Sequence, residues 1–437
     1  MATHYLTTIV KALATSMGAR VFAMGLRFVT ICLLPFWLAP SEIGWSAVIM
    51  ALTNLVVAVS DFGFGTALIR ESSVSRRMGQ SVFALVVGAS VVMGIVMIVG
   101  AAGLEALFSV PAWLVMISAF AVPLSAMAIL PNALLQRELR FTSLAVRDLV
   151  GEVSFSVTAV WLAVCGETMT CIAWALVVQR AVRWIASSVA VEWRPGFRIV
   201  WSDIRRLLSF SMFQLGNITI TQLANRLDMF LLSVFMPPAV LGYYAQGQQL
   251  STTPVQSLMG AATNVFFASF AKLQSDEARL RELFVKVMKG VIVCGFGAVG
   301  VMVPAMGLIP VVYDASWTPS VGIARILCLS IPFVAASAFE GLLITIGGER
   351  RRLFSSLLRT GIMAGGTWML FGVCPTAGAW HVAWLVFVAF GVGVGVNMQY
   401  IFGRLRLTRS DVRVWIRPLM AGLAIAVTGI LLTLLFF

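Results

Sequence analysis

The chain has 437 residues, of which 60% are hydrophobic and only 11% charged, and its mean hydropathy is +0.96. Soluble domains carry about 25% charged residues, so this composition excludes one and specifies an all-α polytopic membrane protein. The net charge of +13 raises nucleic acid as a partner, but where the charges fall, many of them in alternate loops between apolar spans, points away from that class. Six cysteines without a CxxC pair and two histidines, His4 and His381, argue against a disulfide framework and a metal centre.

In chain order, the first span covers about residues 12–38. It keeps Arg20 and Arg27 and lacks a convincing cleavage site, so it reads as an anchor helix and not a signal peptide. The turn at 39–44 leads to a second span that ends near Ile69, after the glycine-rich Asp61-Phe-Gly-Phe-Gly65. Further spans follow at about 81–104, 112–135, 143–165, 168–190, 208–235, 241–271, 285–311, 318–346, 353–374, 378–402 and 415–437. Each is near the roughly 20 apolar residues a helix needs to cross the hydrocarbon core, which makes about thirteen spans.

Loop charges orient them. One set of connections holds Arg70, Arg76 and Arg77, then Arg137 and Arg140, Arg194 to Arg206, Lys272 to Arg281, Arg350 to Arg352, and Arg404 to Arg413. The alternate set, near 39–42, 105–111, 166–167, 236–240, 312–317 and 375–381, holds no Lys or Arg. The positive-inside rule then makes the first set and the N-terminus cytoplasmic. It also gives the basic charge a role in topology and in contact with anionic lipid headgroups.

The seventh span carries Gln214, Asn217, Thr221, Asn225 and Asp228, at spacings of three, four, four and three. That places all five on one helical stripe, which lipid would penalise and a protein interior or wet cavity would accept. Arg226 lies about 200° around the helix from Asp228, so each needs a partner elsewhere. The next span holds Gln246, Gln248, Gln249 and Pro254.

The halves resemble each other. Leu38-Ala-Pro-Ser-Glu-Ile-Gly44-Trp-Ser-Ala47 aligns without gaps on Met236-Pro-Pro-Ala-Val-Leu-Gly242-Tyr-Tyr-Ala245, offset by 198 residues. Six spans per half in one orientation form a parallel pseudo-repeat whose axis runs along the membrane normal. The expected layout is a six-helix bundle over 1–190, a cytoplasmic linker over 191–207, a second six-helix bundle over 208–403, and an additional transmembrane helix over 404–437. A central cleft between bundles follows.

Several segments carry a family resemblance. They are Asp61-Phe-Gly-Phe-Gly-Thr-Ala-Leu-Ile69, Asn225-Arg-Leu-Asp228, Leu241-Gly-Tyr-Tyr-Ala-Gln-Gly-Gln-Gln249 with Pro254, Val265 to Gln274, Pro304 and Trp317. Together they are similar to the polysaccharide transporter family of Wzx-like flippases, within the multidrug/oligosaccharidyl-lipid/polysaccharide superfamily. The family often has Pro where Ala268 stands. The resemblance implies alternating inward- and outward-open states. It also implies transport of undecaprenyl-diphosphate-linked glycan across the bacterial inner membrane, beside a polysaccharide polymerase and export machinery.

For the cleft, the candidate substrate contacts are Arg27, Asn217, Gln222, Asn225, Arg226, Gln246, Gln249 and Arg325. Arg27 lies near mid-depth, where a charge costs at least about 2.5 kcal/mol; its alternatives are a diphosphate contact or an ion pair with Asp61 or Asp228. Arg180 and Arg183 read as snorkelling side chains. Asp61, Asp228 and Glu340 are coupling or structural acids; Asp61 can instead accept backbone N–H bonds where Gly63 and Gly65 loosen the helix. Glu152 is a further coupling candidate or an arginine's counter-charge. Gly391, Gly393 and Gly395 lie inside a span and read as helix packing, not a phosphate loop. No nucleophile–base pair or large extramembrane domain suggests an enzyme or a cofactor. The competing functions are a drug/cation antiporter of the same superfamily and a membrane glycan polymerase; the short external loops oppose the latter.

Overall fold

The computed structural model describes residues 18–436 except 20, 72–73, 194, 257–258, 260–265, 267–269, 271–272, 274–275 and 375–377; inside helices, the side chains at 209, 213, 217, 340, 344, 349, 409, 410, 412 and 432–436 are likewise not described. His4, Arg20, Arg194, Lys272 and Ala268 therefore lie outside the described residues, as do the side chains of Asn217 and Glu340. The described chain is helical, with no strand among its described residues.

Every expected span has a helix in its place, the eighth being described mainly through Pro238–Ser251. Six helices are long and apolar enough to cross a bilayer among the described residues: Pro40–Ser60, Arg76–Val99, Ala112–Arg137, Glu277–Val312, Ala379–Arg404 and Arg413–Leu431. A seventh arises if Ala315–Leu329 and Ile331–Leu343, bent by 41°, form one span. The other helices fall short for a physical reason. Phe141–Val164 contains Arg147, Asp148 and Glu152, and Cys171–Val189 contains Gln179, Arg180 and Arg183.

Two compact units divide the chain, Met1–Ala239 and Val240–Phe437. In the first, side-chain pairs repeat at a fixed separation: Arg27 with Glu152 is 125 residues, while Thr30 with Ser156, Glu42 with Thr168 and Asn54 with Arg180 are each 126. Between antiparallel helices the separation would change by two for every residue moved. A constant value therefore makes span one parallel to span five and span two parallel to span six. Four spans apart and parallel is what strict alternation across a membrane requires.

The helix Trp201–Phe235 starts within the stretch expected as linker. Asp203 suits the positive end of its dipole. Ile204 and Leu207, three residues apart on one face, are 0% and 4% exposed in a core with Phe64, Leu68, Val82, Phe83 and Leu130. The helix packs on Pro40–Ser60, Phe64–Arg70, Arg76–Val99 and Ala101–Phe108. Its N-terminal end is tied by Arg77 to Asp203 at 3.0 Å and by Arg206 to Glu71 at 2.5 Å.

The second unit packs differently. Phe284 is wholly buried, with ring centroids at 5.0 Å from Phe339 and 6.0 Å from Trp415. Glu277–Val312 and Arg409–Phe436 run parallel, since Arg281 meets Thr408 and Val285 meets Trp415. They cross where only glycine fits: a Cβ at Gly422 would stand 2.7 Å from Phe296 Cβ, and one at Gly429 would collide with the Gly300 carbonyl. Close approach at small residues is a main source of helix association in lipid. Of the expected Gly391, Gly393 and Gly395 contact, a Cβ at Gly391 would stand 3.4 Å from the Phe333 ring and one at Gly393 3.8 Å from the Ser355 carbonyl, whereas one at Gly395 would meet open space among the described residues. At the membrane edge of this unit, burial raises Asp411, but the Thr408 amide and hydroxyl and the Arg281 guanidinium outweigh it and hold its carboxyl below the usual range.

Candidate functional site

The polar interior of the first unit centres on Glu152, which is 6% exposed. Its Oε1 accepts from Arg183 Nη2 at 2.8 Å and from Arg27 Nη1 at 3.3 Å. Its Oε2 is buried without a partner. Gly151 makes room for this: a Cβ there would lie 2.5 Å from Arg183 Cγ, so the arginine crosses its neighbour helix at the one residue without a side chain. The Arg27 guanidinium also stands 5.7 Å over the Phe155 ring. The expected acids for Arg27 were Asp61 or Asp228. Glu152 takes that place, because spans one and five are parallel neighbours in register.

Arg180 donates from Nη2 to Asn54 Oδ1 at 2.7 Å, while its Nε and that of Arg183 are buried without partners. The expectation that these two arginines snorkel is corrected. Arg180 is the midpoint of Cys171–Val189, about 13 Å from either end at 1.5 Å per residue, too deep for its guanidinium to reach a headgroup. Arg147 pairs with Asp148 at 2.5 Å and lies within the electrostatic field of Arg180 and Arg183. Four arginines thus share two acids, Asp148 and Glu152. The excess positive charge sits where lipid and protein cannot solvate it well, which is an environment that attracts an anion.

Asp61 is the C-cap of Pro40–Ser60 and accepts from the Gly65 amide at 3.1 Å. On Trp201–Phe235, Gln222 is half-buried, Asn225 and Arg226 are exposed, and Asp228 is 8% exposed. Arg226 has no acid partner among the described residues. In the second unit Gln246 is 2% exposed, and Gln249 Oε1 accepts from Thr253 Oγ1 at 3.2 Å. Arg325 is half-buried, with Nε and Nη2 enclosed and unpartnered.

The residues that sequence reading passed over are Asn54, Arg147 and Asp148, with Arg180 and Arg183 misassigned. The available signal was depth: Glu152, Arg180 and Arg183 all lie well inside helices that must cross the membrane, where an unpaired charge is expensive. Among the described residues, no group of three or more His, Cys, Asp or Glu could hold a metal ion.

A family model described as "Polysaccharide biosynthesis protein" matches residues 36–322. The chain is 24% identical over 320 residues to "Lipopolysaccharide biosynthesis protein WzxC" of Escherichia coli (strain K12), covering 71% of this chain and 64% of that one. It is 25% identical over 333 residues to "Succinoglycan biosynthesis transport protein ExoT" of Rhizobium meliloti (strain 1021), covering 74% and 66%. The chain thus spans just under two thirds of the length of these curated relatives. Among solved structures, "Lipid II flippase MurJ, inward closed conformation" superposes with a TM-score of 0.75 at 13% identity, covering 96% of both chains. At that identity the likeness establishes the fold alone, an all-helical one.

Proposed function

Since the chain belongs to the polysaccharide biosynthesis protein family, we propose that it is a flippase moving undecaprenyl-diphosphate-linked oligosaccharide across the bacterial inner membrane by alternating access. The observation that carries this reading is the buried excess of arginine around Glu152, with Arg27 half-exposed at its edge. A diphosphate is the membrane-borne anion such a group suits. Guanidinium gives planar, bidentate hydrogen bonds to phosphate oxygens, which an ammonium cannot.

Arg27 shares Glu152 with Arg183, so it can leave for a stronger anion without stranding the carboxylate. Arg226, exposed and without an acid partner among the described residues, supplies a second contact. Gln222, Asn225, Gln246 and Gln249 offer amides to sugar hydroxyls, Asn217 belongs with Asn225 by its helical spacing in the sequence, and Arg325 offers unsatisfied N–H groups. Asp228 and Glu340 serve as counter-charges. Translocation breaks no covalent bond, so the protein acts as a transporter and not as an enzyme. The pseudo-repeated six-helix layout, the cytoplasmic N-terminus, and association with a polymerase and export machinery complete the reading.

Arg27→Ala and Arg226→Ala should each lose surface-glycan export at wild-type protein levels, with Lys variants intermediate. Full export by both Ala variants at normal levels overturns the assignment. Failure to accumulate instead marks the residues as structural ion partners.

A further inference from the structure

Asn397 lies inside the helix Ala379–Arg404 of the second unit and is 8% exposed. Its side-chain oxygen, Oδ1, is enclosed and has no hydrogen-bond partner among the described residues. Leaving a buried amide oxygen unanswered is costly, and in folded chains such atoms nearly always find a protein group or a water. The residue lines a cavity of about 20 Å³. Phe339, Leu343, Val394 and Ile401 close that cavity, and Ser337 is the other polar side chain on its wall.

The cavity sits at a defect in the chain. The limb that follows the 41° bend, Ile331–Leu343, is itself interrupted. Ile331–Ala336 is α-helical, Ser337–Phe339 tightens to a 3₁₀ turn, and Glu340–Thr345 resumes the α-helix. A 3₁₀ stretch is narrower than the α-helix around it, so a neighbour packed against both leaves a gap at the turn. At its start the limb has no such slack. A Cβ at Gly295 would stand 3.0 Å from Pro332 Cα, and the Phe333 ring meets Phe387 at 5.3 Å between centroids. Side chains fill the start of the limb and fall short at the turn.

Size and hydrogen bonding decide what fits the gap. A space of about 20 Å³ exceeds the roughly 10–15 Å³ that one water needs, and it is far too small for a sugar or a lipid headgroup. Ser337 donates its hydroxyl to the Val334 carbonyl at 2.7 Å, which leaves the hydroxyl oxygen able to accept. The wall therefore offers two neutral acceptors, Asn397 Oδ1 and Ser337 Oγ. Water brings two donor hydrogens to them, whereas a divalent cation wants about six oxygens. A wholly apolar cavity stays dry; an enclosed, unanswered amide makes the difference.

We propose that this cavity is a binding site for one water molecule, which donates to Asn397 Oδ1 and Ser337 Oγ and so ties the helix Ala379–Arg404 to the 3₁₀ turn. The interrupted limb thereby keeps its tight turn without stranding the amide. Because water both donates and accepts, it serves that amide in either orientation. The site does not depend on what the protein carries.

Hydroxyl-radical footprinting by X-ray radiolysis, on the purified full-length protein in lipid nanodiscs, tests this. Radicals form where water is and modify the side chains beside it, buried ones included. Phe339 is 1% exposed and borders the cavity; Phe64, 0% exposed in the first unit, is the dry control. In the wild type Phe339 should be modified several-fold faster than Phe64. Asn397→Leu removes the amide at nearly constant volume and should bring Phe339 down to the Phe64 rate. Ser337→Ala, which removes the second acceptor, should lower the Phe339 rate in part. A wild-type Phe339 as slow as Phe64 overturns the proposal, whether or not the variants fold. So does fast modification that survives unchanged in either variant. A protein that exports no glycan would still show this labelling, so the water site and the flippase reading fail separately.

Discussion

The two units solve one problem in opposite ways. Between helices in a bilayer, lipid is as apolar as leucine, so burial of apolar surface gives little drive to associate. The first unit uses polar glue: Arg27, Arg183 and Glu152, Arg180 with Asn54, Thr30 with Ser156. The second uses shape, with Phe284, Phe339 and Trp415 interlocked and Gly300, Gly422 and Gly429 letting two helices touch backbone to backbone. Polar glue is also binding chemistry, since a shared ion can be exchanged for a ligand. Close packing is not. From this difference we infer that headgroup chemistry belongs chiefly to the first unit and scaffolding to the second.

Removing the shared acid should break that contrast most severely. Glu152→Gln leaves Arg27 and Arg183 without a counter-ion and should cost about 3 kcal/mol or more. It should be read as a lowered thermal midpoint of the detergent-solubilised protein. The double variant Glu152→Gln/Arg183→Gln should recover part of the loss, because fewer buried charges are stranded. No recovery would mean that the arginines are held by something other than this acid.

In the second unit, Phe284→Ala should cost about 3 kcal/mol through a cavity that its ring neighbours cannot close. Its transport defect should track protein level alone. A variant that accumulates normally but fails to transport would place function in the supposed scaffold. A smaller effect, about 1–2 kcal/mol from the left-handed backbone alone, is expected of Gly63→Ala, and the contact with Ser211 adds to it. Leu215→Ala, on the opposing helix, should not rescue it, since the obstruction at Gly63 is mainly backbone. Smallest of all, Arg206→Gln cuts a pair whose arginine is 64% exposed, and such pairs contribute little to stability. Its midpoint should match the wild type.

How much of this was legible follows the same division. Hydropathy placed a helix at every expected span, because apolar length is written locally. The counter-charge of Arg27 was not legible: Glu152 is 125 residues away, and only the parallel register of two helices brings them together. The depth of Arg180 was readable and its role was misjudged, since snorkelling needs an end within reach. The helical start at Trp201 was hidden because a basic connection and a packed first turn look alike until Ile204 and Leu207 are seen in the core. The crossing at Gly300 and Gly429 was masked by the more regular Gly391-Val-Gly393-Val-Gly395, whose last glycine touches nothing. Regular spacing marks a pattern, while a contact needs a partner at the right depth.

Movement of a diphosphate-linked glycan lipid is measured directly by reconstitution. Purified protein is placed in vesicles containing an undecaprenyl-diphosphate-linked sugar on both leaflets, and a membrane-impermeant reagent modifies whatever sugar reaches the outside. Wild-type vesicles should expose the inner pool as well, whereas vesicles with Arg27→Ala, like protein-free ones, should expose the outer leaflet alone. Wild-type protein that leaves the inner pool protected would contradict the account.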